Sequence, residues 1–107
     1  MSFIQNISIN TQTASYTLAI SDANGIVRQN VGSANNLTVP PNSSVAFPIG
    51  TQITIINAGV GQTAFVAGSG VTINSADGAL KLRVQYSAAT LIQIAIDTWL
   101  LTGDIIL

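Results

Sequence analysis

A chain of 107 residues with 7% charged residues, no cysteine and no histidine has the size of one domain, and it excludes disulfide frameworks and thiolate or imidazole metal sites. Three basic and four acidic side chains give a net charge of −1, too few cations to track a nucleic acid backbone, and no apolar run reaches the roughly 18 residues of a membrane span. Soluble domains carry about 25% charged residues; a chain this neutral and 48% hydrophobic has the composition of a subunit in a permanent oligomer, whose interfaces are more apolar than ordinary surface.

The opening MSFIQNIS lacks the basic and apolar regions of a signal peptide. Its Phe3, Ile4, Ile7 and Ile9 stand among Gln5, Asn6 and Ser8, which reads as a first strand or as an extended arm that pairs with a neighbouring subunit. With the Thr-, Gln- and Ser-rich stretch that follows, residues 1–13 are expected to form this N-terminal strand or contact arm and residues 14–107 the folded β-sandwich domain. Tyr16, Leu18 and Ile20 alternate with Thr17 and Ala19, the period of a half-buried strand over 16–20. Asp22-Ala-Asn-Gly25 is turn chemistry, and residues 26–30 read as the returning strand. Residues 37–39 make a strand that ends at Pro40 and Pro41, which lack the donor a central strand needs. Val45 and Phe47 alternate briefly before Pro48 and Gly50, and residues 51–57 form a strand covered on both sides.

Two Gly-x-Gly pairs, Gly59/Gly61 and Gly68/Gly70, mark turns around strands at 63–67 and 71–74. A phosphate cradle would need such glycines between a strand and a helix, and no stretch here has helical periodicity. They also hint at a repeat, without the fixed period of a solenoid. Asp77-Gly78 predicts a hairpin leading into 79–107, where Leu80, Leu82, Val84 and Tyr86 alternate with Lys81, Arg83 and Gln85. Residues 91–96 and 99–102, parted by Asp97 and Thr98, predict a second hairpin, so the last third reads as three antiparallel strands in succession. Turn signals about every 8–12 residues then indicate an all-β domain, a small antiparallel β-sandwich or jelly-roll-like fold of about eight to ten short strands.

No constellation of catalytic residues stands out. Asp22, Asp77 and Asp97 lie in predicted turns, where Asp bonds the local backbone, and no cofactor or metal is expected. Trp99, the lone Trp, is flanked by Leu100 and Leu101 and reads as core or subunit interface.

TVPPNSSVAFPIGTQI (38–53) and QYSAATLIQIAIDTWLLTGDI (85–105), joined by AGVGQTAFVAGSGVTINSADGALKL (58–82), resemble a domain common in bacteriophage virion proteins, including tail fibres. The similarity runs from about residue 14 to residue 105. It implies an all-β structural domain, used as a homotrimer on capsid surfaces or appendages, and no enzyme. A single domain behind a short leader suits capsid decoration better than fibre building. The expectation is a decoration, or cement, subunit made in the host bacterial cytoplasm and carried on the virion, with itself and the major capsid or another virion protein as partners. Phe3, Ile4, Ile7, Ile9, Tyr86 and Trp99 are the expected interface residues. The alternative is a tail or head fibre tip that binds a host surface glycan.

Overall fold

Period-two alternation decides which side chains are enclosed. In the strand Gln52–Asn57, Ile53, Ile55 and Asn57 are buried while Thr54 and Ile56 are half-covered; in Ala88–Ala95, Ala89, Leu91 and Gln93 are buried. The computed structural model describes residues 6–107 and is all-β. Its strands are β1 (Ile9–Gln12), β2 (Tyr16–Thr17), β3 (Ile26–Gln29), β4 (Asn35–Val39), β5 (Gln52–Asn57), β6 (Thr63–Ala67), β7 (Thr72–Ser75), β8 (Lys81–Leu82), β9 (Ala88–Ala95), β10 (Thr98–Gly103) and β11 (Ile105–Ile106). They form two sheets, ordered β1-β3-β5-β9-β10-β7 and β11-β8-β6-β4-β2. Val27, Ile53, Ile55, Leu91 and Leu101 of the first sheet share one apolar core with Leu37, Val39, Phe65 and Leu82 of the second. From the loops, Leu18 and Phe47 complete it; the Phe47 ring meets Trp99 edge to face at 5.5 Å.

The sheets are mixed, which corrects the antiparallel expectation. From β1 to β8 the chain changes sheet at every connection; as far as β6, consecutive strands within a sheet run the same way, whereas β8 lies antiparallel to β6. β1, β3 and β5 are therefore parallel, as are β2, β4 and β6. The first two-thirds of the chain winds as three stacked rungs, each giving one strand to either sheet. Only β9 and β10 make a hairpin inside one sheet, and they close the stack by pairing β9 antiparallel to β5.

The rungs touch most closely at the corner between the sheets. A Cβ on Gly59 would overlap the backbone of Val31, and one on Gly61 would overlap that of Ser33; the Gly61 N–H donates to the Val31 carbonyl at 3.0 Å. Asn57 holds this corner from within. Its amide nitrogen donates to the Gly59 and Gly61 carbonyls, both at 2.9 Å, and its oxygen accepts the Thr63 N–H at 2.8 Å. Asn35 links the rungs, its oxygen accepting from the Gln29 amide at 3.1 Å and the Thr63 hydroxyl at 2.8 Å. Buried polar groups demand such partners, which is why amides occupy core-facing positions here.

Several local expectations are corrected. Residues 80–86 are not one strand: β8 ends at Leu82, because the Ser87 hydroxyl and carbonyl-bonded turn capture the backbone beyond it, with Val84 N–H on Ser87 Oγ at 3.1 Å and Ser87 N–H on the Val84 carbonyl at 3.0 Å. Asp77-Gly78 is no hairpin. Both residues have positive φ, 57° and 69°, in a 3-10 turn that carries the chain from β7 in one sheet to β8 in the other. Residues 45–47 form no strand, and 16–20 is strand only at Tyr16–Thr17. Within residues 1–13, expected as a strand or an arm, β1 pairs with β3 of its own chain from Ile9 to Gln12. A truncation meant to test the leader alone must therefore stop short of β1.

Candidate interaction surface

At the end of the stack where β1 and β2 lie, the opening between the sheets is filled by polar groups. Asp22 is buried, and its carboxylate accepts from the Asn10 amide at 2.9 Å, the Tyr16 hydroxyl at 2.7 Å and the Ala19 N–H at 2.8 Å. A buried carboxylate is tolerated when its lone pairs are used. Asp22→Ala leaves these donors without their acceptor and is expected to cost roughly 2–4 kcal/mol, with Asp22→Asn costing less, as read by urea unfolding. Burial, then the bond to Asp22 and its charge, raises the Tyr16 phenol above its usual pKa. The neutral phenol is thus favoured by the folded state. Its contribution is intact below the ordinary phenol pKa near 10 and is lost as pH rises through the elevated value, so Tyr16→Phe should flatten the alkaline limb of a stability–pH curve.

The outer face of the first sheet is an apolar and threonine surface. Across the register, Ile9 stands beside Ile26, Ile26 beside Thr54, and Thr54 beside Thr90; the Thr54 and Thr90 hydroxyls bond at 3.0 Å. Ile92 and Leu100 are paired in the next row, with exposed Ile94 beyond on the same strand. Arg28 is the charge that β3 places on this face. Ile7 and Ile9 are 61% and 62% exposed, and among the described residues β1 is the edge strand of its sheet.

The expected interface residues thus separate. Ile9 lies on this face and Ile7 just before it, while Tyr86 sits apart in a loop. Trp99 is 1% exposed and belongs to the core of its own chain, which is the core alternative of its reading and not the interface one. Phe3 and Ile4 lie outside the described residues.

Tyr86 is 77% exposed and has φ 71°, a left-handed backbone that bulky residues rarely adopt. Its loop, 83–87, is tied at every side. The Tyr86 N–H donates to the Asn57 carbonyl at 2.7 Å, the Gln85 amide to the Ala58 carbonyl at 3.1 Å, and Arg83 grips Asp104 in two bonds of 2.8 and 2.9 Å. The Ser87 hydroxyl donates to the same carboxylate at 2.7 Å. Arg83 first, then Ser87, hold the Asp104 carboxyl below the usual carboxylate range. This depressed pKa stabilises the loop above the ordinary Asp value, and the contribution disappears as pH falls through the lower one. Sequence reasoning missed the loop because the apolar alternation of Leu80, Leu82, Val84 and Tyr86 runs on unbroken; Ser87, a side chain that bonds the nearby backbone, was the available signal.

The other carboxylates have local structural work. Asp97, φ 55° at the β9–β10 turn, accepts the Asn42 N–H at 2.7 Å and pins the loop before β5. Asp77 occupies the 3-10 turn after β7. Among the described residues no three His, Cys, Asp or Glu side chains gather as a metal site, and no helix is long and apolar enough to cross a membrane. A cleft of about 480 Å³ opens between the end of β10 and β11, lined by Leu100, Ile105, Ile106 and Leu107 and by Asp77 of the turn after β7. Compared with protein-family models, curated proteins and solved structures, the chain matches none.

Proposed function

We propose that this chain is a bacteriophage virion structural protein, a capsid decoration subunit that acts as a homotrimer and works by adhesion. The observation that carries the reading is the outer face of the first sheet, where Ile9, Ile26, Ile92, Ile94 and Leu100 share one surface with Thr54 and Thr90 and a single strand-borne cation, Arg28. Such a face is suited to burial against a virion protein: it is apolar and carries little charge to desolvate. β1, the edge strand of this sheet among the described residues, adds main-chain groups for strand pairing with that partner. The resemblance of residues 38–53 and 85–105 to phage virion domains supports the same reading.

Gold-labelled antibody against the purified chain, applied to intact particles, tests it. Label distributed over the heads is expected. Label confined to tail tips, or absent from particles, overturns the decoration role. Ile94→Lys on the outer face, at a side chain 52% exposed, should weaken capsid occupancy by at least tenfold while leaving thermal unfolding within a few degrees, because surface substitutions away from the core change stability by about 0.5 kcal/mol.

A further inference from the structure

We propose that Tyr86 is the self-association anchor of this chain, seated in the apolar cleft between β10 and β11 of a second copy. This inference rests on the homo-oligomer in the reading above and names the contact that builds it.

The knob is prepared for burial. Tyr86 projects from a loop whose backbone is already fixed by bonds to Asn57 and Ser87 and by the Arg83–Asp104 pair, so little conformational freedom remains to be lost on docking. Exposed Val84 shares its loop, and exposed Val60 stands in the adjoining corner turn that Gln85 clasps through Ala58. Arg83 and Asp104 neutralise one another, so burying the tip strands no lone charge. Tyrosine anchors framed by apolar neighbours are the usual energetic centres of protein interfaces.

The socket is on the same chain. Its wall includes Leu100, Ile105, Ile106 and Leu107, and Asp77 in the same lining supplies an acceptor for the phenol hydroxyl, which a buried Tyr requires. Asp104, which braces the knob, lies between Gly103 and Ile105 of the socket. Knob and socket are therefore neighbours at one end of the molecule, and every copy can both give and receive. A self-complementary surface of this kind closes into a ring when the rotation between copies is uniform.

Native mass spectrometry of the full chain, Tyr86→Asn, Ile106→Asp and their equimolar mixture is the test. Asn accepts the left-handed backbone, so Tyr86→Asn should unfold no more easily as a monomer than the wild type. Each variant alone is expected to dissociate at least tenfold more readily than the wild-type assembly. The mixture should recover a heterodimer, because Ile106→Asp retains the knob and Tyr86→Asn the socket. Variants that assemble as tightly as the wild type, or a mixture that stays monomeric, overturn the proposal while leaving the virion reading standing. A wild-type chain that is monomeric at every concentration overturns both the anchor and the homo-oligomer on which it rests.

Discussion

Replacing Trp99 with alanine is expected to destabilise the protein by about 3–5 kcal/mol, the range for deleting a large aromatic from a packed core. Trp99 is 1% exposed, stands between Gln93 of β9 and Ile73 of β7 in the sheet, and receives the edge of Phe47. The Phe47 contact fixes the long loop between β4 and β5 onto the first sheet, so the cavity would also release that loop. Domains of this size are stable by about 5–15 kcal/mol in all; Trp99→Ala should thus lose at least about 12 °C in melting temperature at roughly 4 °C per kcal/mol. Trp99→Phe keeps a ring against Phe47 and should cost less than half as much. Circular dichroism melts of both variants measure this, and a loss under about 1 kcal/mol for Trp99→Ala would remove Trp99 from the core.

Adding one methyl group at the corner should rival that effect. Gly59→Ala and Gly61→Ala each drive a Cβ into the backbone of the preceding rung, at Val31 and Ser33. Neither glycine has positive φ, so the whole effect is steric. Overpacking in a core typically costs about 1–3 kcal/mol because side chains can rotate aside; a carbonyl held in the rung below cannot, and the high end or more is expected for each. Gly32→Ala, one residue from those same contacts but with open space around its Cβ position, should be nearly neutral. Urea unfolding of the three variants separates rung stacking from any general intolerance of the corner to alanine.

Those glycines also show how far the fold is legible in the sequence. Alternation at Ile53 and Ile55, and turn residues around 63–67 and 71–74, locate β5, β6 and β7 to within about a residue, since side-chain period and turn chemistry are local properties. Pairing is not local. Ile9 lies beside Ile26 and Ile26 beside Thr54, offsets of 17 and 28, whereas Tyr16 lies beside Leu37 and Leu37 beside Phe65, offsets of 21 and 28. Unequal rungs leave no period to detect, although Gly59/Gly61 and Gly68 mark where the third rung crosses the second: Gly68 abuts Val39 and the prolines after it. At the candidate surface, Ile7, Ile9 and Tyr86 are legible as apolar residues in polar company. For Trp99 the sequence leaves core and subunit interface undivided, because its enclosure depends on Phe47, 52 positions away, and on strands of different rungs.

The central claim is that a surface this poor in charge exists to be covered by other protein chains. Sedimentation velocity of the unmodified full chain, diluted from micromolar to nanomolar, tests it most directly. The account predicts a closed species of three chains that persists through the micromolar range and dissociates only on strong dilution. A single chain, soluble and unassociated at every concentration, would contradict it.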